Sequence, residues 1–141
     1  MKVKCIANTG EKLSQRTLEA GHKKDFKLNV KVGAEYIVYS MVMWRGTLDY
    51  LILGYDSKCP SWYPAELFEV INPLLPFVWY CNFDRYTNYR GEYSQVVLWG
   101  YKEMIMDPGH NIALIEETTE ALDIFFKRKC QMDEFEEKHY L

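Results

Sequence analysis

The sequence predicts an α+β protein, with a small β-barrel in its first half and amphipathic helices at its end. Three observations predict it. Short runs rich in Val, Ile, Tyr and Met, separated by Gly, Asn, Asp and Pro turns, fill residues 1–72; such residues suit a pleated, half-buried surface. The prolines of Asn72-Pro73-Leu74-Leu75-Pro76 then interrupt regular pairing. Beyond them the pattern passes to helix signals, including Asp107-Pro108 and the Thr118-Thr119 pair ahead of a long mixed apolar and charged run. The division is a barrel over 1–72 and an α+β subdomain over 73–141 packed on it.

The elements follow in order. Val3, Cys5 and Ala7 alternate along a first strand, which Asn8-Thr9-Gly10 turns. A lysine-rich excursion over 11–28 holds one helical turn at Ser14–Ala20, closed by Gly21. Val32-Gly33-Ala34 turns into a strand over Glu35–Trp44, and Arg45-Gly46-Thr47 connects it to a returning strand, Leu48–Tyr55. Asp56-Ser57-Lys58 turns the chain towards Ser61-Trp62-Tyr63; Pro64–Leu67 reads as a helical turn and Phe68–Ile71 as the last short strand. After the proline link come a strand, Phe77–Phe83, and a polar, tyrosine-rich loop, Asp84–Glu92. The apolar run Val96–Trp99 fits strand or helix, so 94–106 stays open between the two. A helix opens at Asp107-Pro108 towards Ile115. Another runs from Thr118 or Thr119 to about Phe135, with Leu122, Phe125, Phe126 and Met132 near one face.

Composition bounds the function. The 141 residues carry 48% hydrophobic and 26% charged side chains, ordinary globular usage that folds without metal or disulfide. No apolar run reaches membrane-spanning length, and MKVKCIANTG lacks the apolar stretch of a signal peptide, so a cytoplasmic protein without a membrane partner is expected. Cys5, Cys59, Cys81 and Cys130 show no metal-ligand spacing and read as free thiols. Cys5, Cys81 and Cys130 sit in apolar patterns that predict burial, while Cys59, beside Pro60, is expected to be accessible. The net charge of −3 hides a gradient, from eight Lys/Arg against three Asp/Glu over 1–31 to four against ten over 103–141. Charge patches of opposite sign act on partner encounter more than on fold.

Two segments resemble known proteins. Val32-Gly33-Ala34-Glu35-Tyr36-Ile37-Val38-Tyr39 and Ser61-Trp62-Tyr63-Pro64-Ala65-Glu66-Leu67-Phe68-Glu69-Val70-Ile71 resemble small bacterial and phage proteins in which such pieces build an SH3-like barrel. The resemblance implies that Phe68 and Val70 point into the barrel. Trp99-Gly100-Tyr101-Lys102-Glu103, Ala113–Glu116 and Ala121–Lys129 are similar to the C-terminal region of uncharacterised bacterial proteins, some of which look like toxin-immunity proteins. That likeness implies a bacterial source and a non-enzymatic role.

The chemistry-bearing residues point the same way. His22, His110 and His139 have no metal-binding spacing and read as solvated or locally hydrogen-bonded. No nucleophile elbow, phosphate loop or dinucleotide fingerprint occurs, and the acidic clusters read as solvated helix faces. Neither a catalytic residue, a metal nor a cofactor is expected. Two aromatic constellations suit binding: Tyr55, Trp62 and Tyr63 on the barrel, and Arg85, Tyr86, Tyr89 and Arg90 in the stretch after the link. The expected partner is another protein, with a toxin domain as the leading case. Nucleic acid, met by Lys12, Arg16, Lys23 and Lys24 with exposed rings, is the alternative.

Overall fold

A computed structural model describes residues 1–87 and 93–140, with the side chains of 84–95 outside the description. It is a mixed α+β fold with two antiparallel sheets and a long C-terminal helix. The smaller sheet has the order β2-β1-β6, from Glu35–Ile37, Lys2–Cys5 and Phe68–Asn72. The larger has the order β5-β4-β3-β8-β7, from Ser61–Pro64, Thr47–Ile52, Ser40–Trp44, Tyr93–Gly100 and Tyr80–Thr87. It takes strands from both sides of the Asn72–Pro76 link. Helices α1 (Gln15–Glu19), α2 (Lys102–Met106), α3 (His110–Ile115) and α4 (Thr119–Lys138) complete the order. No helix among the described residues is long and apolar enough to cross a membrane.

The expected strand over Glu35–Trp44 divides in two. Val38 and Tyr39 are both buried although they are consecutive, which alternation within one half-buried strand forbids. Val38 enters the core between the two sheets, with Val3, Tyr50 and Leu67. Tyr39 enters the core between the larger sheet and the helices, with Leu51, Tyr101 and Phe125. The chain therefore changes sheets here. The next connection keeps its reading: Arg45 (φ 52°) and Gly46 (φ 73°) form a two-residue turn between the paired Trp44 and Thr47, and positive φ at both positions matches the twist of a hairpin. The returning strand stops at Ile52, short of Tyr55.

Val70 corrects a second expectation. Phe68 is buried, but Val70 is 44% exposed. The register runs Val3–Val70 and then Lys2–Asn72, leaving Ile71 as an extra residue. Such a bulge breaks the alternation that would have sent both side chains inward.

Past the link, the strand expected at Phe77–Phe83 begins at Tyr80 and continues to Thr87, so 84–87 is strand where a loop was expected. Eight unbroken pairs with β8 hold it. The open 94–106 segment resolves into β8 followed by α2. Gly100 separates them because Ser40 of β3 lies against it; a Cβ there would stand 2.5 Å from the Ser40 hydroxyl. Asp107 holds the entry to α3 as its carboxylate accepts from the Gly109 amide at 3.0 Å, although the helix itself starts at His110. Thr118 caps α4 by accepting from the Ala121 amide. That helix extends past Phe135 to Lys138. Its buried stripe is Ala121, Phe125, Met132 and Glu136, whereas Phe126 stays 37% exposed.

The cysteines are all free. Cys5 is buried as expected, but Cys81 and Cys130 are exposed. Cys81 lies opposite Trp99 on the outermost strand of the larger sheet, and Cys130 lies off the buried stripe of α4.

Glu66, in the Ala65–Leu67 turn ahead of β6, fastens the early excursion to the smaller sheet. Its carboxylate accepts from the Ser14 amide (2.7 Å), the Ser14 hydroxyl (2.7 Å) and the Thr17 hydroxyl (2.6 Å). Burial alone would raise its pKa, but these bonds outweigh it and hold the carboxyl below its ordinary range. A carboxylate depressed on folding contributes stability above its unfolded pKa, and that contribution fades as pH falls through the folded value. Glu66→Gln should therefore destabilise the protein by roughly 1 kcal/mol at pH 7, solvent screening limiting the effect. In urea titrations the difference from wild type should shrink as the pH is taken below the ordinary carboxylate range; an equal difference in acid would contradict this account.

Candidate functional site

The larger sheet is wider than the smaller sheet packed against it, and that mismatch creates the candidate site. Side chains alternate between faces, so the strand registers assign each residue to a side. Ser40, Val42, Leu98, Gly100, Tyr80 and Asn82 share one face, and Leu98 packs there with the helical core. Met41, Met43, Val97, Trp99, Cys81 and Phe83 share the other. Over β4 and β5 this second face is covered by β1, β2 and β6, around a core that reaches Tyr50, Ile52 and Tyr63 and, at its border, Met41.

Beyond β3 neither core extends over this face among the described residues. Among the described residues, Met43, Val97, Trp99 and Phe83 belong to neither core. The first three are half-buried, Phe83 is 60% exposed and Cys81 is exposed. Phe77 and Val78, just ahead of β7, are exposed on the helical side instead, Phe77 edge-on to Phe135 of α4 and Val78 beside Arg128 and Met132. The result is an apolar sheet face bounded by the outer edge of β7. Contiguous apolar surface of this kind marks interaction sites, whereas isolated exposed side chains do not.

The aromatic sets expected from the sequence fare differently. Tyr55 is 57% exposed, with the Lys31 ammonium 5.5 Å from its ring centre. Trp62 is half-buried against the helical core and donates to Asn111 Oδ1 at 2.9 Å. Tyr63 is only 5% exposed, its ring edge-on to Phe68. Trp62 and Tyr63 are neighbours on β5 and so point to opposite faces; with Tyr55 they form no common surface. Arg85 and Tyr86 lie in β7, opposite Gln95 and Ser94. Tyr89 and Arg90 lie outside the described residues.

Several titratable groups are held in hydrogen bonds or ion pairs. The Tyr101 hydroxyl and His110 Nε2 stand 2.6 Å apart, and both residues are buried. Burial pushes the imidazole pKa down, against the pull of Asp107 and Glu103, and pushes the phenol up. Both are therefore neutral near pH 7, forming a hydrogen-bonded pair that solvent hardly touches. Depressions of about 130 Å³ and 230 Å³ lie on either side of this pair, the first reached by Tyr80 and Arg128, the second by Asp107 and Glu120. Arg128 makes a bidentate pair with Glu103 at 2.8 and 2.7 Å, which holds that carboxyl low and the guanidinium high. The Cys59 thiol donates to Glu117 at 3.0 Å, and this bond, more than burial, raises its pKa and reduces its thiolate character. Among the described residues no group of three or more His, Cys, Asp or Glu is placed to hold a metal ion.

No family model matches this chain, and neither the curated proteins nor the solved structures contain a significant match. The outer sheet face thus stands on its geometry alone. Sequence reasoning missed it, although the signal was there: Cys81/Phe83 and Val97/Trp99 repeat with period two. Which face they share depends on pairing with β3, which the order of residues alone does not reveal.

Proposed function

We propose that this protein is a non-enzymatic binding protein, an immunity-type inhibitor that occupies the surface of a bacterial toxin in the cytoplasm. The observation that supports the reading is the apolar face of half-buried Met43, Val97 and Trp99 and exposed Phe83, which neither core includes among the described residues. Large side chains held in register on a rigid sheet are pre-organised for a partner, which lowers the ordering cost of association. The buried Tyr101–His110 pair and the Glu117-bound Cys59 fit the same reading, because neither presents a reactive group to a substrate. The acidic residues after position 103 suit a basic target.

The SH3-like barrel belongs to this proposal too. What supports it is that β1, β2 and β6 share one core with residues of β3–β5, and that the Ala65–Leu67 helical turn precedes β6. In this reading the barrel is the support and the added β8–β7 hairpin carries the binding face.

The test is capture from the native host with wild type and with Met43→Lys/Val97→Lys. Wild type should retain one stoichiometric protein whose toxic activity it suppresses, and the double variant should lose affinity by about tenfold or more. Equal capture by both proteins, or salt-sensitive retention of nucleic acid without a protein, overturns the proposal.

A further inference from the structure

We infer that the depression between α3 and the first turns of α4 binds an alkyl guanidinium, the group that an arginine side chain carries. The depression holds about 230 Å³. Its apolar lining comes from Ala113 on α3 and from Ala121 and Ile124 on α4, and its polar lining includes Asp107, Glu120 and His110. Neither lysine nor arginine lines it. A cleft lined by one sign of charge concentrates ions of the other. The exposed Glu116 and Glu117, which lead into the lining Thr118, add to that sign.

What the site offers is acceptors. The Gly109 and Ala121 amides at its rim are already engaged, the first donating to Asp107 Oδ1 at 3.0 Å and the second to Thr118 Oγ1 at 3.3 Å. Asp107 Oδ2 and the Glu120 carboxylate have neither a hydrogen bond nor an ion pair among the described residues. His110 adds an acceptor from below. It is 2% exposed, and its Nε2 stands 2.6 Å from the Tyr101 hydroxyl. Its Nδ1 has no hydrogen-bond partner, yet the one sealed side-chain atom without a partner among the described residues is Asp49 Oδ1. Nδ1 is therefore not sealed, and it opens on the depression that the ring lines. With Nε2–H donating to the Tyr101 oxygen, Nδ1 accepts.

A guanidinium suits this arrangement better than an ammonium. Its five N–H donors are fixed in one plane, so one group meets acceptors on different elements at once, and it is more weakly hydrated. The alkyl stem behind it packs on the apolar walls. The site lies on the helical side of the larger sheet, where Ala121, Leu114 and Tyr101 share a core. Met43 and Phe83 face the other way. The inference therefore goes beyond the binding role proposed above and does not depend on it.

An NMR titration of the purified full chain tests it, read at the backbone amides of Gly109, Ala113, Glu120 and Ala121. The probes are N-acetyl-arginine methylamide, its lysine and citrulline counterparts, and agmatine. Each is taken to about 50 mM, above the dissociation constant of roughly 1–10 mM expected for a single side chain. The blocked arginine should shift these signals along a saturating curve. Citrulline keeps the shape without the charge and should bind at least about tenfold more weakly, and the lysine derivative at least about threefold. Glu120→Gln, at an exposed position, should weaken the arginine response at least about threefold. Ala113→Leu, which fills the depression, should abolish it. The two arginine-like probes separate the sources of the group. Tighter binding of agmatine marks a free small molecule, and tighter binding of the blocked derivative marks an arginine presented by another protein. No shift at these amides overturns the proposal. So does equal binding of the citrulline or lysine derivative, or an arginine response that both variants leave unchanged.

Discussion

Glu136→Ala is expected to lower the unfolding free energy by about 3–5 kcal/mol, the usual cost of breaking a buried ion pair by removing one partner. Glu136 is 2% exposed on the inner face of α4. One carboxylate oxygen meets the Met1 ammonium at 3.1 Å, and the other accepts from the Asn72 amide at 2.8 Å. Asn72 is itself fully buried at the end of β6. The substitution leaves the ammonium without its acceptor in the interior, and the Asn72 amide with only the longer bond, 3.4 Å, to the His139 carbonyl. Burial already works against the Met1 charge, lowering its pKa, while the hydrogen bond and charge of Glu136 oppose that shift. Urea unfolding monitored by tryptophan fluorescence should show a markedly lower midpoint at unchanged slope. A loss below about 1 kcal/mol, the level of exposed surface pairs, would show that the pair is hydrated and the network is not a closure of the fold.

Phe125→Ala should cost a similar amount, about 3–5 kcal/mol, by a different route. Phe125 is completely buried where α4 crosses the larger sheet, its ring perpendicular to Tyr39 with centres 5.3 Å apart. Tyr39 is held there by a hydrogen bond from its hydroxyl to Asp133, at 2.8 Å, on the same helix. Truncation removes the ring and leaves a cavity whose far wall is tied to the helix that lost it. The site has little freedom to collapse, which places the loss high in the range. A change under about 1.5 kcal/mol, typical of cores that repack freely, would contradict a rigid contact. The variant and Glu136→Ala act on separate ends of α4, so their effects should add approximately in the double variant.

Elements governed by local chemistry were legible in the sequence. Ser14 caps α1 by accepting from the Thr17 amide, and Thr118 caps α4 in the same way. Arg45-Gly46 turns the hairpin and Pro64 leads into a helical turn. Features governed by partners distant in sequence were hidden. Nothing local marks Val38–Tyr39 as a crossing between sheets; both residues are strong strand formers, and only their opposite surroundings separate them. Residues 84–87 looked like a loop because Asp, Arg and Thr dilute the apolar pattern, yet a full ladder to β8 holds them. Tyr63 looked like a binding ring because its type suits interfaces as well as cores. The candidate face was invisible for the same reason as the crossing: it exists only because one sheet overhangs the other.

The route of β3 has a kinetic consequence. One of its edges is filled at once by β4, through a two-residue turn, but the other waits for β8, whose Gly100 faces Ser40 from 60 positions away. Pairings that close such long loops form late and slow the search for the native state. During that interval Met41, Val42 and Met43 lie on an open strand border, able to accept any passing extended chain. Yield on refolding should therefore fall steeply with protein concentration, a competition set by chain order and not by native stability.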